Sequence, residues 1–306
     1  MLAASVLIPS LAMGQASQTT FEFHSGIWLN LHHTLYNQAT GIKAARLPDL
    51  SPLSPAEAGV WSQALEYYGR SLINHDLLEV SMVRISRALA LAGNAPSLQA
   101  PELSKDLDRI LEAAAPIYRT RWWAEHDGKN REWIASVTPL TARHEGVLKP
   151  ALSRAYDTPW PKGPVRVEMS YYVTGNSAYT SVDPTLITVS SRSERNQGPA
   201  ALENIFHEQG HALVQKAFTE IARAEKSRKD GLPYRDLWHA LMFYTTGELV
   251  RKQVPELEPY ATKYGLWEAN WPQALSVLEK DWKPFIEGKG NFRDAIKQLV
   301  ADFPAR

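Results

Sequence analysis

The chain has no cysteine among its 306 residues, which removes disulfides, thiolate metal ligands and cysteine nucleophiles together. Any metal it holds must sit on histidine or carboxylate. Nor does one sign of charge prevail: Lys plus Arg and Asp plus Glu each number 33, so the basic footprint that attracts nucleic acid or an anionic membrane surface is missing. No nucleic-acid partner is expected. Beyond the first residues no apolar run approaches the roughly 20 residues of a membrane-spanning helix, so no span is expected in the mature chain. GxSxG, Walker and dinucleotide fingerprints do not occur, which leaves nucleotide chemistry without support. What remains, at 44% hydrophobic content, is a globular chain long enough for a large core.

The N-terminus speaks to location. Leu2 to Met13 is apolar apart from Ser5, Pro9 and Ser10, and Gly14-Gln15-Ala16 then offers small residues where a signal peptidase cuts. Residues 1–16 read as an export signal, with the mature chain starting near Ser17 in the periplasm or outside the cell. No Lys or Arg precedes Lys43, as in a leader whose start lies further upstream.

Residues 17–158 carry helical periodicity, taken to run from Phe21 to about Tyr156. Ser54-Pro55-Ala56-Glu57 is a capping box with proline at the first helical position. A second helix runs through Leu77 and Leu89 to Gly93, and a third follows Ser104 towards Trp122 and Trp123. Pro159-Trp160-Pro161-Lys162-Gly163-Pro164 breaks this text, and strands are predicted over Val165–Val173 and Thr185–Ser190, with a turn at Thr174-Gly175-Asn176. The expected fold class is α+β and predominantly helical, with residues 159–306 holding a small sheet beside the segment described next.

His207-Glu208-Gln209-Gly210-His211 is an HExxH motif. On a helix, histidines four residues apart share a face and bind one ion, while the adjacent carboxylate handles a water's protons. A chain with 9 histidines carries this pattern by chance in roughly 2 of 100 cases, so context matters. Apolar Leu202, Ile205, Phe206, Leu213, Val214 and Phe218 surround it, in a helix predicted to begin near Pro199. The bland alternative is a helix whose two histidines face solvent or share a core hydrogen bond.

A catalytic zinc takes three protein ligands and a water, so a third ligand is required. A third histidine six residues after His211 is excluded, because that position is Ala217. The downstream candidates are Asp236, His239 and Glu248. A helix continuing from His211 to about Arg228 travels about 25 Å, and an antiparallel return from Tyr234 regains the ion's level near residue 251. Glu248 lies within a turn of that level and is preferred. His239 falls roughly 18 Å short unless the first helix breaks early, and is kept as the alternative.

With HExxH on one helix, a glutamate from a following helix and a strand upstream, the chain resembles the gluzincins, the thermolysin-like zinc metallopeptidases. It departs from them in the longer gap between His211 and Glu248, and in having Gly247 where they carry asparagine before the glutamate. The segments Phe21–His24, Trp28–His33 and Leu237–Ala240 also look like parts of exported bacterial HExxH proteins. The resemblance implies a zincin-like core, Zn2+ on His207, His211 and Glu248, and Glu208 as general base and then acid on a peptide or protein substrate. Tyr171, Tyr172, Tyr179, Tyr244 and His239 are candidate oxyanion donors. The competing expectation is a binding or scaffold protein on the same fold. His32-His33 are read as packing, since adjacent helical histidines point apart; Trp122-Trp123 with His126 could line an aromatic substrate pocket, though paired tryptophans are at least as often core.

Overall fold

The computed structural model describes residues 19–173, 177–228 and 236–303. The export-signal segment, the turn predicted at 174–176 and a loop expected at 230–233 lie outside them.

The chain opens on a strand, β1 (Phe21–His24), where helix was expected. In Phe-Glu-Phe-His the apolar residues alternate, and Phe21 is buried where β1 pairs in parallel with β2 (Val165–Ser170), Phe21 opposite Val165. The partner lies far away in sequence, so no local signal competes with the helical text that follows. Five helices come next. α1 (Ile27–Lys43) is buried along most of its first half. α2 (Pro55–Ser71) starts at the capping box: the Ser54 side chain accepts from Glu57 N–H, and Ser54 N–H donates to Glu57 Oε2 at 2.8 Å. α3 (Val80–Ala92) stops at Gly93, whose φ of 55° favours glycine. α4 (Lys105–Tyr118), capped by Ser104, continues through a π-turn at Arg119–Trp123 into the long α5 (Ala124–Ala155).

The sheet is completed by β3 (Ala178–Ser181) and β4 (Leu186–Ser190), in the order β1-β2-β4-β3. β1, β2 and β4 run parallel, and β3 is an antiparallel edge strand on β4. The sheet lies between two layers. Val165, Val167, Met169, Ile187 and Val189 pack on one face with α5 and the C-terminal helices, while Tyr179 and Leu186 join the core of α1 to α4 on the other. α5 shares its apolar contacts with the segment carrying the HExxH residues.

That segment is α6 (Pro199–Gly210), with Pro199 at its first position, followed by α7 (Gln215–Lys226) and α8 (Leu237–Gln253). Short helices α9 (Tyr260–Lys263), α10 (Leu266–Asn270), α11 (Ala274–Val277) and α12 (Lys283–Ile286) lead to α13 (Phe292–Asp302), which closes against α7. The architecture is α+β and predominantly helical. No helix among the described residues is long and apolar enough to cross a membrane.

Candidate metal centre

The helix carrying the motif does not continue past it. α6 ends at Gly210, and the chain turns through 211–214, where His211 N–H bonds to Glu208 O and Leu213 N–H to Gly210 O, before α7 begins. α8 therefore returns against α6 itself. The pairs along the contact show an antiparallel course: His239 lies against His211, Phe243 against His207, and Gly247 against Glu203. Gly247 permits this approach, because a β-carbon there would meet Pro259 at 2.9 Å and Glu203 Oε1 at 3.1 Å.

This register brings His239, and not Glu248, beside the two motif histidines. Glu248 was expected at the level of the motif, but its carboxylate faces Arg251 instead, at 3.0 Å from Nε and 2.7 Å from Nη2. The expectation assumed one helix from His211 to Arg228. Because the helix breaks at His211, the return begins at the motif's own level, and His239, near the start of α8, arrives there.

The three imidazoles form a regular triangle. The ring centroids of His207, His211 and His239 are 5.3 Å apart in each pair, and one nitrogen from each lies within 4.8 Å of the others. Nε2 of His207 and Nε2 of His239 are 3.3 Å apart. Nitrogens at ~2.05 Å around a tetrahedral ion sit about 3.3 Å from one another, so this edge already fits. The three histidines can hold a metal ion.

The surroundings keep them neutral. His207 is buried, and its desolvation, helped by the two neighbouring imidazoles, holds its pKa well below 6.5. Burial pushes His211 down to about 3, with His239 adding to it. It pushes His239 to about 4, the Asp236 carboxylate opposing. A metal binds the neutral imidazole, so no proton has to leave at neutral pH. Phe243 stacks on His207 at 4.0 Å, Trp238 on His239 at 5.0 Å, and Trp271 meets His239 edge-on at 5.8 Å. These rings orient the imidazoles and limit water around them.

Glu208 stands beside the triangle. Its Oε2 accepts from the Thr180 hydroxyl of β3 at 2.7 Å, and burial raises its pKa to about 7 against that hydrogen bond. The triad and Glu208 line a cavity of about 460 Å³, walled by β3 on one side and by Tyr260, Leu266, Asn270 and Trp271 on another. Asp236 lines it too.

Of the other oxyanion candidates, Tyr171, Tyr172 and Tyr244 are elsewhere, while Tyr179 lines the cavity. Tyr171 stacks on His126 at 4.1 Å with Tyr172 beside it, and neither lines the cavity. The Tyr179 hydroxyl is used on the opposite face of the sheet, by His33 Nε2 at 3.1 Å and Ser86 at 3.2 Å. Tyr244 packs near Trp267, off the cavity lining. Thr180, Arg195, Asn204 and Tyr260 line the cavity and were not singled out from sequence. Thr180 lies in a strand of four residues, too short for its period to register.

No protein-family model, curated protein or solved structure matches the chain.

Proposed function

We propose that the protein is a zinc-dependent metallopeptidase on a zincin-like core, acting outside the cytoplasm on peptide or protein substrates. The observation that carries this reading is the triangle of three neutral imidazoles with a carboxylate at its side, set in a cavity bordered by the edge strand β3. Three histidines and no thiolate suit zinc in an open, catalytic form. When bound, zinc would lower the pKa of a water from ~15.7 towards ~7 and polarise a carbonyl.

His207, His211 and His239 are the residues that would hold the ion. Glu208 would supply the proton transfers. A base works best with a pKa near the working pH, and burial brings the Glu208 carboxyl to about 7. The Thr180 hydroxyl occupies Oε2 and fixes the carboxylate's orientation, so the other oxygen is the one to take a proton from water and deliver it to the departing amine. Among the described residues no strand pairs with the second side of β3, and an extended peptide can add to such an edge through main-chain hydrogen bonds. Placed there, it lies alongside Thr180 and hence Glu208.

The direct test is Glu208→Gln. The native chain should hold about one zinc and cleave peptides, and the variant should retain the metal while activity falls about 100- to 10,000-fold, the usual worth of a general base. A chain that fails to take up zinc on reconstitution overturns the reading. Zinc uptake with no hydrolysis of any peptide would instead point to a binding protein.

A further inference from the structure

One charged group in the cavity has no part in the proton transfers. Arg195 lies in the short turn Glu194–Asn196 that packs on α6, and its exposed side chain lines the same cavity as the triad. It is well positioned. Its backbone carbonyl accepts from Asn204 Nδ2 at 2.9 Å, and Asn204 is three residues before His207 on α6. Its guanidinium lies 4.5 Å from the centre of the Tyr264 ring, and Nη1 donates to the Tyr260 hydroxyl at 3.4 Å. A guanidinium has five N–H donors, and among the described residues no carboxylate pairs with this one. A fixed, unneutralised arginine in a cavity is matched by a planar anion that takes two hydrogen bonds at once, which is the geometry of a carboxylate.

The sheet indicates which carboxylate. Asn196, next to Arg195, donates through Nδ2 to Ser177 O at 2.9 Å and to Ser190 O at 3.0 Å, tying this turn to the start of β3. A peptide lying antiparallel along the free edge of β3 runs with its C-terminus towards Ser177, the Arg195 end. Thr180, which holds Glu208, marks the reacting level. From Thr180 back to Ser177 is about 10 Å at ~3.3 Å per residue. We propose that Arg195 anchors the free C-terminal carboxylate of a peptide whose chain ends two or three residues beyond the bond facing Glu208. Leu266 and Trp271 on the neighbouring wall suit apolar side chains in that short segment. Resting on the peptidase reading, this makes the enzyme one that trims short pieces from C-termini.

The experiment uses one acetylated tetrapeptide ending in Phe-Leu, as the free acid and as the C-terminal amide. Both are assayed for cleavage by the zinc-loaded native chain and for binding to zinc-loaded Glu208→Gln, in which turnover is blocked. The free acid should be favoured about 10- to 100-fold, the worth of a charge-assisted pair. Adding Arg195→Met should bring the ratio of acid to amide close to one at unchanged zinc content, and Arg195→Lys should leave it in between. Equal binding of acid and amide, or a preference that survives Arg195→Met, overturns the anchor. If neither peptide is cleaved while the acid still binds better through Arg195, the anchor stands and the peptidase reading falls.

Discussion

Two groups of histidines can be set side by side. His32 and His33 on α1 and the triad at α6 and α8 are alike in spacing, the His32 and His33 rings 5.4 Å apart and the triad's 5.3 Å, although His32, His33 and His207 are buried and His211 and His239 half-buried. They are alike in charge as well. Desolvation pushes His32 down to about 3 and holds His33 well below its ordinary value, as it does for the triad. What separates them is where the nitrogens point. His33 uses both, Nδ1 with Ser170 at 3.0 Å and Nε2 with Tyr179 at 3.1 Å, and His32 Nδ1 meets Tyr68 at 2.8 Å. The triad's nitrogens converge on one another and on a cavity. A depressed pKa therefore records burial in both places, and only the convergence marks a site.

The comparison can be broken most forcefully at His239. His239→Ala should weaken zinc binding by more than the ~10- to 100-fold that loss of a residue touching a ligand costs, whereas His33→Phe should leave zinc stoichiometry and affinity unchanged. Competition with a chelator of known affinity reads both. If His33→Phe lost the metal and His239→Ala kept it, the two groups would have been assigned the wrong way round.

The next effect concerns Glu203, one turn before His207. Both its oxygens accept from Tyr260 N–H, at 3.0 and 2.9 Å, and burial, against those bonds and with help from the nearby Glu248 charge, raises its pKa to about 8. The folded state thus holds a proton that the unfolded chain releases above its ordinary value of 4.5, and stability falls as pH rises from there to about 8. Glu203→Gln should remove that slope. In metal-free protein the variant should match the native chain near pH 4.5 and exceed it by on the order of 2 to 4 kcal/mol above pH 8, by denaturant titration. A constant difference across this range would show that Glu203 is ionised in the fold.

Smaller again is the stability lost by His33→Phe, about 1 to 3 kcal/mol, because the buried Ser170 hydroxyl loses its His33 partner and Tyr179 is left with Ser86. Smallest is Glu248→Ala. Its carboxylate serves an ion pair with Arg251, whose side chain is 41% exposed, so zinc affinity should stay within about twofold and stability within about 1 kcal/mol. A large loss of zinc here would restore Glu248 as a ligand.

Much of the site is legible in the sequence because its first half is local. His207, Glu208 and His211 need one helical turn to be related, and Ser54, Gly93 and Pro199 mark helix ends through capping chemistry that acts over four residues. His239 is not legible in the same way. Its place depends on the helix stopping at Gly210, and Ala212-Leu213-Val214 continues the apolar text with no breaker except that glycine. β1 escapes for a related reason: four residues carry too little periodicity, and their partner strand begins at Val165. Arg195 gives no local sign at all, since an arginine in a polar turn gains meaning only when Asn204 and Tyr260 close around it.

The break at His211 has one further consequence. It puts two of the candidate ligands at the end of α6 and the third near the start of α8, with all of α7 between them. An ion on the triad would then be a covalent-like staple in a chain that has no cysteine to make one. Binding only the folded chain, such an ion would stabilise it by RT ln(1 + [L]/Kd), about 2.7 kcal/mol at one hundred times Kd. The whole α7 excursion becomes a loop tied shut at its base, and chelation would loosen that loop before the sheet it rests beside.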